Sequence, residues 1–346
     1  KSLVPRPSTP ARSAPLPFQA AALAFAGDTL AVAPWDSAHL VFLDSALSEA
    51  GSWTAPSPIT ALAAAFDRCV LVGLASGDVV VLDVKRAAAV APLKSISTGS
   101  RPVELAEFDA GVIAYGDRTV AVYADGAHIA HSTLRYKRVR GAAQLHIGNA
   151  APLAICVTDR VDIIALDSLQ QLDIRTVALG DSQPTSLSIA DCVAVTTRPS
   201  GSARGTVRLL DRATFAQRAQ AELQPQEHPN CAVHINTPVG RVLVVGTGFP
   251  DPDRIETPAG RLIGFDDALN VVFALDVHGN VYAVQQASGF VAAATDSQVQ
   301  TFAVESGSLR MCDRWGCAFI ASCLVAGAED GQGTQLVVGD AMRSLT

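Results

Sequence analysis

Val70-Leu-Val-Gly-Leu-Ala-Ser-Gly-Asp-Val-Val-Val-Leu-Asp83 is a pair of apolar runs, each too short for a helix, joined by a polar turn around Gly77. Runs of roughly four to seven β-branched and apolar residues separated by Asp, Gly or Ser turns form β-hairpins. The second run, Val79–Leu82, does not alternate, so both of its faces are expected to be covered. The same unit recurs along the chain. First runs start at residues 30, 70, 112, 153, 193, 242, 291 and 336, a spacing of 40 to 49 residues. A repeat of about 40 to 45 residues is the length of one four-stranded propeller blade. Helical periodicity is nowhere sustained, and the expected fold class is all-β, built of WD-like β-propeller blades.

Composition narrows the function. The chain has 346 residues, of which 49% are apolar and 17% charged, with a formal net charge of −7. That balance gives no general attraction for phosphate backbones. Mean hydropathy is +0.27, yet apolar runs such as Ala20–Ala26 stop well short of the roughly 18 residues that span a bilayer. Seven cysteines without a CxxC pair read as reduced thiols of a cytosolic or nuclear protein. The proline-rich start, 1–17, is expected as a loop or arm. A first residue other than methionine, and an end that follows a strand without closing anything, read as a piece of a longer polypeptide.

Roughly seven repeats could make one complete ring. Two features speak for another arrangement. The unit lengthens beyond residue 193, and the terminal repeats offer no obvious way to share a blade. The alternative is the end of one propeller followed by the beginning of another.

A resemblance favours that alternative. Gln171-Leu-Asp-Ile-Arg-Thr-Val-Ala-Leu179, Val337-Val-Gly-Asp-Ala-Met-Arg-Ser-Leu345, the Leu-Leu-Asp-x-x-Thr-Phe of 209–215 and the Val-Val-Gly-Thr-Gly-Phe-Pro with Gly-Arg-Leu of 244–262 resemble, in order, segments of one superfamily. It joins the large subunit of the UV-damaged-DNA-binding complex to the A subunit of the cleavage and polyadenylation factor. Ala33-Pro-Trp-Asp36, Gly77-Asp-Val79, the Gly-x-x-Pro of 99–102 and Gly116-Asp-Arg-Thr-Val120 extend the resemblance upstream. It implies two consecutive seven-bladed propellers, both incomplete: later blades of the second over 18–170 and first blades of the third over 171–346.

What the superfamily does is implied with the fold. The chain is expected to be a non-enzymatic adaptor that links a cullin-4 RING ubiquitin ligase to WD-repeat substrate receptors, including the small damaged-DNA-binding subunit. Nucleic acid would be met indirectly, and the setting would be nucleus and cytoplasm. Trp35 matches a tryptophan on the cullin-facing surface. Thr185, Gly248, Asn280, Tyr282, Val299, Thr301 and Phe302 match the receptor cleft, with Tyr282 and Phe302 as anchors. Thr185 stands where an arginine is expected and Thr301 where a leucine is. A related subunit of the pre-mRNA cleavage or splicing machinery is one alternative, and a propeller enzyme of hydrolase or quinoprotein type is another.

Catalytic and metal signals are sparse. No phosphate-binding glycine loop and no Gly-x-Ser-x-Gly elbow occurs. The histidines are scattered, and neither a metal nor a cofactor is expected. Asp251, Asp253 and Glu256 share one loop, which reads as solvated rather than as a calcium site. Arg135, Tyr136, Lys137, Arg138 and Arg140 form one basic cluster, read as a solvated strand edge more than a base-stacking surface.

Overall fold

The founding hairpin forms as its sequence dictates. Strand Cys69–Leu74 is buried at all six positions and pairs antiparallel with Asp78–Asp83, Cys69 facing Asp83 and Gly73 facing Val79. Gly77 takes φ 92, a conformation that costs little only without a Cβ. Its N–H donates to Leu74 O at 2.8 Å, and Ser76 Oγ donates to Asp78 Oδ2 at 2.7 Å.

The computed structural model describes residues 14–15, 20–65, 69–84, 90–97, 104–108, 111–115, 120–124, 127–132, 139–144, 153–157, 160–167, 171–179, 182–199, 204–249, 260–287, 290–296, 298–316, 321–326, 336–340 and 344–345. Every regular element among them is a strand. After β1 (Ala14–Pro15) come β2 (Ala20–Ala26), β3 (Thr29–Pro34), β4 (His39–Leu43) and β5 (Glu49–Thr54), forming the first blade. The second is β6 (Ile59–Ala65), β7 (Cys69–Leu74), β8 (Asp78–Asp83) and β9 (Ala91–Ser97). The third is β10 (Glu104–Phe108), β11 (Gly111–Tyr115), β12 (Val120–Ala124) and β13 (Ala127–Ser132), and the fourth β14 (Val139–Gln144), β15 (Leu153–Val157), β16 (Arg160–Asp167) and β17 (Gln171–Ala178). The fifth holds β18 (Ser182–Ile189), β19 (Cys192–Pro199), β20 (Thr206–Asp211) and β21 (Gln217–Glu222). The sixth holds β22 (His228–Thr237), β23 (Gly240–Gly248), β24 (Gly260–Phe265) and β25 (Val271–Val277), and the seventh β26 (Val281–Ala287), β27 (Phe290–Thr295), β28 (Gln298–Glu305) and β29 (Ser308–Gly316). The last sheet is β30 (Ala321–Ala326), β31 (Leu336–Asp340) and β32 (Ser344–Leu345), completed by β1 from the other end of the chain.

The all-β propeller is therefore present, but not as two open rings. Each blade's first strand packs against the first strand of the next, and β2 packs against β30 and β31, which brings the last blade back to the first. β1 clasps that last blade, Ala14 facing Leu345 and Pro15 facing Ser344. The shared blade that the terminal repeats do not reveal is this one, and part of the expected N-terminal arm is a strand. Residue 170 falls inside the fourth blade, whose β16 and β17 pair at eight positions from Arg160↔Ala178 to Asp167↔Gln171. The described residues thus form one closed ring of eight four-stranded sheets.

Stacking of blades explains the unbroken apolar runs. Between the first two blades lie Ala24, Leu40, Phe42, Leu62, Val70, Val72 and Leu82. On the other face of the first blade lie Leu23, Leu30, Val32 and Val41. Each fully buried Leu, Val or Phe contributes about 1.5–3 kcal/mol, so the inner three strands of a blade cannot alternate with solvent. Only the fourth strand does, as in β21, whose Gln217, Arg218, Gln220 and Glu222 are exposed.

Candidate functional site

Seven of the eight first strands carry a bulge at the same place. In each, the register slips by one residue near the strand start, at residues 21, 60, 140, 185, 230, 282 and 322. A bulge turns one side chain out of the alternation. All first strands run the same way, so these residues lie on one face of the ring around its axis, beside the turns between second and third strands and those between blades. Thr60, Thr185, Asn230 and Tyr282 are the members with described side chains.

Tyr282 is the aromatic among those four and is 42% exposed. Its hydroxyl donates to Asp296 Oδ1 at 2.7 Å, and Asn280 N donates to Asp296 Oδ2 at 2.6 Å. Partial burial and then the hydrogen bond to Asp296 push the tyrosine pKa up to about 12. The phenol therefore stays protonated and keeps donating. Asn280 Oδ1 accepts from Phe249 N at 2.9 Å, and Asn230 Nδ2 donates to Val281 O at 3.0 Å, which ties the sixth blade to the seventh. Gly248 is required here, because a Cβ would collide with the Asn280 amide.

Below this rim lies a buried charge cluster. Glu227 in the turn between β21 and β22 accepts from Arg261 Nε at 2.8 Å and also from Arg261 Nη2. Thr247 Oγ1 donates to it at 2.7 Å and Gln224 N at 3.1 Å. The arginine pKa is raised by the hydrogen bond to Glu227. Every carboxylate oxygen is satisfied within protein, so the cluster acts as a tether between the fifth and sixth blades.

The structure brings Gly248, Asn280 and Tyr282 into one patch and adds Asp296, Asn230 and Phe249, which sequence reasoning missed. Asp296 lies 14 residues beyond Tyr282, and only the turn between β27 and β28 carries it back. Thr185 occupies the equivalent bulge two blades away, its hydroxyl 2.9 Å from Thr196 Oγ1. Val299, Thr301 and Phe302 are not on a surface. All three are buried in β28, and Phe302, 1% exposed, packs in the core with Val244, Leu262 and Val291. The expectation of Phe302 as a surface anchor is corrected accordingly: β28 is a third strand, covered on both faces. Trp35 sits in the turn after β3 and is 67% exposed, on the same face as Tyr282 and two blades from it. Residues 135–138 and 251–259, with the three carboxylates and all of the basic cluster but Arg140, which is on β14, lie outside the described residues.

On the opposite face, His234 sits between Ser188 Oγ, 2.8 Å from Nδ1, and Cys192 Sγ, 3.8 Å from Nε2. This looks like a nucleophile with its base, yet the electrostatics oppose it. Burial pushes the Cys192 thiol pKa up, and burial with Arg241 pulls His234 down to about 4. The pair rests as thiol and neutral imidazole, the reverse of an activated cysteine. Cys231, buried, is pushed up to about 12. Among the described residues no group of three or more His, Cys, Asp or Glu side chains gathers to hold a metal, and no described helix is long and apolar enough to cross a membrane.

A closed ring of stacked four-stranded sheets with a bulged inner rim defines a β-propeller. Its fold is shared with Sqt1 of Saccharomyces cerevisiae, at TM-score 0.74 and 11% identity over 95% of each chain, and with the Dos1 propeller, at TM-score 0.72 and 12% identity over 97% of this chain and 93% of that one. Residues 204–346 match the family described as the CPSF A subunit region. DNA damage-binding protein 1 of Oryza sativa subsp. japonica is 27% identical over 277 residues, 73% of this chain and 25% of the relative. DNA damage-binding protein 1a of Arabidopsis thaliana is 25% identical over 275 residues, with the same shares. The chain is thus similar in sequence to the CPSF A subunit region over its second part and to DNA damage-binding protein 1 over most of its length. It spans about a quarter of the length of those curated relatives.

Proposed function

We propose that this propeller is a non-enzymatic docking scaffold that links a cullin-4 RING ubiquitin ligase to WD-repeat substrate receptors, the small damaged-DNA-binding subunit among them, in nucleus and cytoplasm. Nucleic acid is reached through the receptor. The observation that carries the reading is Tyr282: a large aromatic face presented to solvent while its hydroxyl is fixed by Asp296. Such a side chain loses little entropy on binding, which suits an interface anchor. Trp35, exposed on the same face, is proposed as the cullin contact, and Thr185, Gly248 and Asn280 as the remaining receptor surface. Relatives named DNA damage-binding protein 1 support the scaffold class.

Titration with the small damaged-DNA-binding subunit tests it. Tyr282→Ala is expected to weaken binding by tenfold or more, about 1.4 kcal/mol, with the melting temperature within a few degrees of wild type. Tyr282→Phe, which keeps the ring but frees it, should fall between. Trp35→Ala should weaken the cullin alone. Unchanged receptor affinity in Tyr282→Ala removes this patch from the interface. A second reading, a subunit of the pre-mRNA cleavage machinery, is favoured by the CPSF A subunit match. Recovery of cleavage and polyadenylation proteins without a cullin, from pull-down of the full-length protein, would put it in first place.

A further inference from the structure

On the face away from the rim, the fifth and sixth blades do not close on each other. Leu209 on β20 and Ala219 on β21 are opposed across their ladder, Cys192 on β19 lies beside them, and Ala268 in the turn between β24 and β25 faces them from the sixth blade. Cysteine and the two alanines are too short to fill the gap, and a cavity of about 480 Å³ remains. Clefts of roughly 300–1,000 Å³ are those that take small molecules. Cys192 and Leu209 are buried and Ala219 is half-buried, so the floor is apolar. It is also uncharged: burial pushes the Cys192 thiol up, and His234 beside it stays neutral.

The mouth of the cavity carries both signs of charge. Asp191 stands in the turn between β18 and β19, Asp267 in the turn between β24 and β25, and Arg218 where the register of β20 and β21 slips. Asp191 is already held by Arg241 Nη1 at 2.7 Å. Asp267 has no hydrogen-bond or ion-pair partner for its side chain among the described residues. Arg218 comes only to 3.9 Å of Asp211, the outer limit of an ion pair, and forms none with Asp267. Two opposite charges thus line one apolar-floored cavity without neutralising each other. A single side chain of a docking protein carries one charge and would leave the other unanswered. A free amino acid carries both on one carbon. We infer that this cavity binds a free α-amino acid with an apolar side chain, its carboxylate on Arg218, its ammonium on Asp267 and its side chain on Leu209, Ala219 and Ala268. The ligand is held and not modified, because a thiol beside a neutral imidazole is not an activated nucleophile. Its binding would fasten the turn after β18 to the turn before β25, a link between two blades.

The probe is L-leucine, titrated into the full chain by isothermal calorimetry. Expected is saturable binding, weakened roughly tenfold or more in N-acetyl-leucine, which lacks the ammonium, and in leucinamide, which lacks the carboxylate. Arg218→Gln should weaken leucine while leaving leucinamide unchanged, and Asp267→Asn should weaken leucine while leaving N-acetyl-leucine unchanged. Both side chains are exposed, so neither substitution opens the core. On the wild-type protein, hydrogen exchange should slow within 190–192 and 266–270 when leucine is added, which needs no variant to fold. No saturable binding, equal binding of leucinamide or N-acetyl-leucine, or protection elsewhere overturns the proposal. None of these readouts involves the Tyr282 rim or the receptor, so the two proposals fail separately.

Discussion

Glu227 has no exposed side-chain surface, although an isolated buried carboxylate is among the costliest groups a protein can hold. It is tolerated because Arg261 meets both oxygens and Thr247 Oγ1 and Gln224 N complete the shell. Removing one member of a buried pair leaves the other charge stranded, at about 3–5 kcal/mol, while replacing both is far milder. Glu227→Ala is therefore expected to lower stability in urea by about that amount, and Glu227→Ala with Arg261→Met to recover part of it. A single-variant loss below about 1 kcal/mol would mean that water reaches the pair. Tyr282 and Asp296 above it differ in kind. Their hydrogen bond lies at the surface, so its loss should be felt by a partner more than by the fold.

At the level of elements, the joint between β18 and β22 rests on His234. Ser188 Oγ accepts from His234 N at 3.0 Å and also meets the ring, while Arg241, Asp191 and Asp267 face it from β23 and two turns. Its folded pKa, about 4, lies below the ordinary 6.5, so between those values the unfolded chain binds more protons than the folded one. Stability should rise with pH through that window, and acidification from 7 to 4 should cost about 3 kcal/mol at this residue. His234→Gln, which keeps a hydrogen bond to Ser188, should flatten the dependence of the urea midpoint between pH 4 and 6.5. An unchanged slope would place the effect elsewhere. The hairpins that carry these joints were legible in the sequence, because apolar runs and Gly or Asp turns are local signals. β1 and β32 were not, since two-residue strands containing Pro15 or Ser344 have no period. Asp296 escaped notice because its link to Asn280 and Tyr282 exists only once two turns meet in space. Phe302 misled for another reason: the resemblance matches it to the receptor cleft and an aromatic suits an anchor, but blade stacking puts it in the core.

For the whole molecule, the strand order makes a prediction that the sequence alone would reverse. Two open propellers meeting near residue 170 would let the chain be divided there into separately folding parts. In the closed ring the same cut separates β16 from β17, which pair at eight positions, and exposes the faces of two blades at each new end. It also parts β2 from β30 and β1 from β32, since the strands that close the ring come from opposite halves. Fragments 1–170 and 171–346 made separately should each lack a cooperative melting transition and aggregate through uncovered sheet faces and edges. Made together, they should associate and recover a single transition, because every interblade surface is then covered again. Two independent transitions, one in each isolated fragment, would restore the two-propeller arrangement. That outcome would also separate Trp35 from Tyr282, now two blades apart on one face, and with them the proposed joint presentation of cullin and receptor.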